Sequence, residues 1–158
     1  MVVLWLTLAL IYKNRDTIPK FLASPVRGAI TLYITITFIV FATVLAPYYH
    51  PTGLALYNNY VSHYFLPIAF IIDWLITEME FEYKWNYIIY WSFYILFYLI
   101  YTLIRGYFTG FYPYLFVNLN SISILQLTIN IIILMCIALS LGLIYIYVNR
   151  KIYKKKNI

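Results

Sequence analysis

One cysteine and two histidines are all that the sequence holds of either residue. Cys136 alone excludes an intrachain disulfide and a metal site built on cysteines. His50 and His63 show no HExxH spacing, and there is no P-loop or GxGxxG run. Metal, cofactor, nucleotide and nucleic-acid binding therefore find no support. Charge is scarce too: 10% of residues are charged, against about 25% in a soluble domain. In its place, 65% of the 158 residues are hydrophobic, and the mean hydropathy is +0.83. A single soluble core of this size could not hide so much apolar surface. The sequence reads as an integral membrane protein, with lipid as the solvent of its outer face. Nineteen tyrosines and four tryptophans fit that reading, because their amphipathic rings favour the membrane–water interface.

Each spanning helix needs about 20 residues, and four apolar runs qualify. They are Gly28 to Ala46, closed by Pro47; Tyr60 to Thr77; Trp85 to Arg105; and Ile122 to Val148. None alternates as barrel strands do. A fifth run, Met1 to Tyr12, reaches only about 18 Å against a hydrocarbon core of roughly 30 Å. No basic residues precede it and no small-residue cleavage site follows, so a signal peptide is disfavoured. The chain is expected to start partway through a helix, by truncation or by a start site further upstream. The expected fold class is all-α: a polytopic transmembrane bundle of four full spans plus a short, truncated N-terminal helix. Residues 1–158 form a single membrane domain, with 149–158 as a basic tail.

The net charge of +6 is unevenly placed. Lys13, Arg15, Lys20 and Arg27 share one connection, and Arg150, Lys151, Lys154, Lys155 and Lys156 form the tail. Threading five segments puts both groups on one side, which the positive-inside rule makes cytoplasmic. The EMEFEYK loop falls there as well, at little cost, because acids barely affect the rule. The expectation is a multi-pass cell-membrane protein with a cytoplasmic C-terminus. The tail's lysines would meet anionic lipid headgroups.

Ionisable groups are costly in lipid, and "NNYVSHYFLPIAFIIDW" keeps two of them. His63 is read as lying one turn into its helix, near the outer interface. Arg105 ends the next span on the same side. The aromatic stretch after it, with Gly106, Gly110 and Pro113, reads as an interfacial or re-entrant loop. His63, Arg105, Tyr112 and Tyr114 would then share one depth, as a pocket mouth. The plainer alternative is a snorkelling Arg105, a hydrogen-bonded His63 and an aromatic belt. Asp73 lies about 15 Å further along the helix axis, within reach of Lys84, Arg27 or a polar group on another helix. It is expected to serve structure. Ser123, Gln126 and Asn130 form a polar stripe on the last span, and Thr31, Thr35 and Ala42 form one on the first. Such stripes usually mark helix–helix contacts. Pro67 cannot donate an N–H to the His63 carbonyl, so a kink beside His63 is expected.

The strings "SPVRGAITLYI", "HYFLPIAFIIDW" and "LIYTLIRGYFTGFYPY", in that order, resemble the bacterial six-span "Pr-six-Pr" membrane proteins. These are distant relatives of the androgen-induced (FAR-type) integral membrane proteins. The resemblance covers most of the chain. It departs at "YPYLFVN", where Leu115 replaces a second proline and Asn118 replaces an acid. Family members carry a further N-terminal helix. The animal relatives are threonine hydrolases of fatty-acid esters of hydroxy fatty acids. The resemblance implies His63 as catalytic base, membrane lipid and a lipid ester as partners, and a threonine nucleophile near the additional helix. Thr43, at about the depth of His63, can be proposed as a substitute, although no motif supports it. The alternative is a non-enzymatic lipid- or ligand-binding or structural membrane protein.

Overall fold

The computed structural model describes residues 2–12, 24–77 and 81–156. It is all-α, with no strand among the described residues. Four helices are long and apolar enough to cross a membrane: Pro25–Tyr48, Gly53–Thr77, Tyr87–Thr109 and Ile124–Lys156. Among the described residues there are six α-helical segments, of which the last five build these spans. They are α1 (Val2–Tyr12), α2 (Ser24–Val40), α3 (Gly53–Tyr60), α4 (Leu66–Thr77), α5 (Tyr87–Thr109) and α6 (Ile124–Lys156). α1 is the short apolar helix before the first long one. Lys13, Arg15 and Lys20 of the first basic connection, and Glu78 to Glu80 of the acidic loop, lie outside the described residues.

The second span ends at Thr77 as expected, and the other span boundaries lie somewhat away from the sequence expectation. The first span runs one residue past Pro47, to Tyr48. α2 continues as a π-helical segment, Phe41–Leu45, and then a 3-10 turn, Ala46–Tyr48, that contains the proline. A proline near the start of a new turn gives up an N–H that has no helical partner there anyway. The second span begins at Gly53 rather than Tyr60, so Asn58 and Asn59 are helical. α3 runs through a second π segment, Val61–Phe65, into α4. α5 runs one turn past Arg105, to Thr109. Gly110 ends it at φ 70°, with its N–H on the Gly106 carbonyl at 2.8 Å; only glycine takes that left-handed geometry cheaply. The basic tail is the last part of α6. At about 1.5 Å per residue this helix is about 50 Å long, beyond the roughly 30 Å of hydrocarbon.

The chain divides into two compact units, the division falling inside α6. Unit 1 comprises Met1–Lys84 and Tyr145–Ile158. Its core is Ile30, Ile34 and Phe70, with Val2, Trp5 and Leu6 packed on it. The Thr31/Thr35 stripe is buried, and the Thr35 hydroxyl meets that of Tyr145 at 2.7 Å. Tyr83 is fully buried and ties three elements together. Its N–H donates to Asn149 Oδ1 (2.8 Å), its carbonyl accepts from Arg150 (2.7 Å), and its hydroxyl accepts from Trp74 Nε1 (3.0 Å). Arg150 also pairs with Glu82 at 2.8 Å. The ring lies so close to Gly28 that a Cβ there would fall 2.6 Å from the Tyr83 oxygen.

Unit 2 is Trp85–Ile144. It packs Leu99 of α5, Val117 of the following loop and Leu127 of α6 into one cluster. The α6 polar stripe fastens this loop. Asn130 donates to the Phe116 carbonyl, and Gln126 donates to Asn130, each at 2.8 Å. Only a short 3-10 turn, Leu115–Val117, interrupts the otherwise irregular 110–123 stretch.

Candidate functional site

His63 sits in the second π segment, and the reason is local. Pro67 has no N–H to give the carbonyl four residues back, which is that of His63, and its ring would press on that carbonyl. Widening the turn relieves both problems. The Leu66 N–H instead reaches five residues back, to Val61. The first π segment repeats the arrangement: the Ala46 N–H reaches Phe41, and Pro47 follows. In both sequences, FATVLAP and VSHYFLP, the segment starts six residues before the proline. Thr43 and His63 are thus the equivalent residues, each four before a proline. π turns inside α-helices are frequent at functional sites.

The two segments meet through their rings. The His63 imidazole stacks on Phe41, centroids 4.0 Å apart and planes at 17°. Phe41 is buried. Tyr64 stands edge-on to Phe38 and Phe41 at 6.0 and 5.8 Å, and Tyr49 stands edge-on to Phe41 at 6.2 Å. Contacts of this kind contribute roughly 0.5–1.5 kcal/mol each, which fixes the imidazole plane. The Nδ1 of His63 is nevertheless buried without a hydrogen-bond partner among the described residues, and so is Oδ1 of Asn59. These residues are four apart on one helix, so they lie one turn apart on one face. An unsatisfied buried polar atom costs about 1–3 kcal/mol.

The depth of His63 differs from the sequence expectation. It lies ten residues after Gly53 in the Gly53–Thr77 helix, about 15 Å along the axis. It is therefore near the middle of that helix and not one turn in. The reason is that Asn58 and Asn59, left outside a span that was expected to start at Tyr60, are themselves helical. Thr43 is exposed, and its hydroxyl donates to the Ile39 carbonyl at 2.7 Å.

Asp73 is paired with Arg27 at 2.5 Å. The same guanidinium nitrogen donates to Thr77, and the Arg27 head lies 5.5 Å from the centre of the Trp5 ring. This cluster joins α1, α2 and α4. Arg27 is thus the partner among those considered for Asp73.

Arg105, Tyr112 and Tyr114 belong to unit 2, whereas His63 belongs to unit 1. Arg105 lies over the Phe111 ring at 5.3 Å. The Tyr112 ring packs where a Cβ on Gly106 would be. The Tyr114 hydroxyl meets that of Tyr98 at 3.0 Å, and its ring stacks on Phe116 at 5.4 Å. Burial, reinforced by the Tyr98 contact, holds the Tyr114 phenol well above the ordinary range.

Phe41, Tyr64 and Asn59 are absent from the sequence-based site. The four-residue Asn59–His63 spacing was a usable signal, hidden by starting the helix at Tyr60. Nothing in the sequence marks Phe41 apart from the other aromatics. No family model, curated protein or solved structure matches the chain.

Proposed function

We propose that this integral membrane protein binds the polar head of a lipid at His63. One observation carries the reading: the imidazole is held flat on Phe41 while its buried Nδ1 has no partner among the described residues. A fixed ring with an unused hydrogen-bonding nitrogen, on a helix long and apolar enough to span, suits a ligand approaching from the membrane. The chain is a cell-membrane protein with its C-terminal tail in the cytoplasm, where the lysines of α6 meet anionic headgroups.

Ester hydrolysis is the second reading. It draws on the resemblance to the six-span family and its threonine-hydrolase relatives. A hydroxyl nucleophile needs a base within hydrogen-bond reach. The Thr43 hydroxyl is engaged by Ile39, so lipid binding is favoured for the residues described. The test is turnover of a fatty-acid ester of a hydroxy fatty acid by the purified chain in nanodiscs, alongside its retention in native mass spectrometry. Binding without turnover, lost in His63→Ala, is the expected result. Turnover abolished by His63→Ala would install the hydrolase reading, and neither binding nor turnover would refute both.

A further inference from the structure

We infer that the Asn59–His63 pair selects lipids bearing a free hydroxyl close to the acyl chain. This rests on the reading of His63 as a lipid-head site and adds the chemistry the head must have. Oδ1 of Asn59 only accepts hydrogen bonds, and it is buried without a donor among the described residues. Esters, ethers and phosphodiesters offer acceptors and leave that atom unsatisfied. A neutral imidazole Nδ1 either donates or accepts, according to its tautomer. One hydroxyl answers both groups, donating to Asn59 and accepting from His63. It suits either orientation of the amide, because it both donates and accepts.

An ammonium head also donates, but two features disfavour it. A charge brought to the middle of an apolar helix carries a desolvation cost that a hydroxyl avoids. The Phe41 face that could hold a cation is covered by the imidazole, with ring planes only 17° apart. The rings of Phe38, Phe41 and Tyr64 make apolar surroundings suited to the first carbons of a chain. The ligand class is therefore an uncharged lipid alcohol, such as a monoacylglycerol or a fatty alcohol.

The experiment uses the full chain in nanodiscs, with 15N-labelled histidine. The sequence has two histidines, so His50 serves as the internal reference and His63→Ala assigns the signals. The probes are 1-monoolein, oleyl alcohol, and monoolein with both hydroxyls methylated. Expected is a saturable shift of the His63 ring nitrogens with monoolein and none with the dimethyl ether. Oleyl alcohol separates the bare hydroxyl from the glycerol ester: a matching shift assigns recognition to the hydroxyl, and no shift overturns that assignment. Asn59→Leu should weaken monoolein binding about tenfold, the equivalent of one hydrogen bond. If the ether binds as well as monoolein, hydroxyl selection is overturned while lipid binding at His63 survives. If no probe moves the His63 signals, both fall. The probe comparison on the native chain decides the matter even if Asn59→Leu does not fold.

Discussion

Arg27 carries more of unit 1 than its place at a helix start suggests. One guanidinium nitrogen serves Asp73 and Thr77, and Trp5 lies against its head. Its side chain is 13% exposed and that of Asp73 is 49% exposed. The charge of Asp73 is therefore partly solvated, and an amide in its place still accepts from the guanidinium. Asp73→Asn keeps an acceptor and should cost about 1 kcal/mol. Arg27→Met also loses the Thr77 and Trp5 contacts and should cost about 2–3 kcal/mol. Thermal unfolding in detergent checks the order; Asp73→Asn falling further than Arg27→Met would refute the arrangement. Asp73 was legible in the sequence because an acid in an apolar run must find a partner. Asn59 and Tyr83 were not. Asn59 was left outside a span expected to start at Tyr60, and nothing in "FEYK" sets Tyr83 apart as the residue that turns inward to Asn149 and Trp74.

Among the elements, both prolines follow a π segment, but only Pro67 sits in a helix that runs on. Pro67 was expected to disturb the turn at His63, and a π segment lies there. Pro47 was read as a terminator, and the helix ends one residue beyond it, at Tyr48. In both places a wider preceding turn spares the carbonyl four residues back. The 110–123 loop offers a test of a different kind. Tyr114 has its phenol raised first by burial and then by Tyr98. An unfolded tyrosine ionises near pH 10. Above that pH the folded loop retains a proton that the unfolded chain loses, so unfolding becomes easier. The Tyr114 contribution is complete below about pH 10 and is lost as pH rises towards the folded value. Melting temperatures from pH 8 to 11 should fall more steeply for the native chain than for Tyr114→Phe. Parallel slopes would show that Tyr114 ionises equally in both states.

At the scale of the whole molecule, hydropathy found all four long helices seen among the described residues, because apolar length is what a membrane demands. It erred only at their ends, where polar residues such as Asn58 and Arg150 continue the helix. Side assignment rests on a different signal, the distribution of Lys and Arg. Part of that distribution, at Lys13, Arg15 and Lys20, lies outside the described residues. The described part includes Arg27 at the start of α2 and the end of α6, where Lys154, Lys155 and Lys156 fill the last turn. Moving these charges across a bilayer is opposed by several kcal/mol for each residue that must pass the centre, and the proposed topology therefore keeps the end of α6 in the cytoplasm. In that topology Thr52, exposed just before α3, falls on the opposite side, one span removed from the Arg27 end of α2. Cys136 is exposed and must first be replaced by serine. In that background, Thr52→Cys should react with an impermeant maleimide on intact cells, and Lys155→Cys should react only after permeabilisation. The reverse pattern would invert the topology and, with it, the side from which lipid heads approach the basic end of α6.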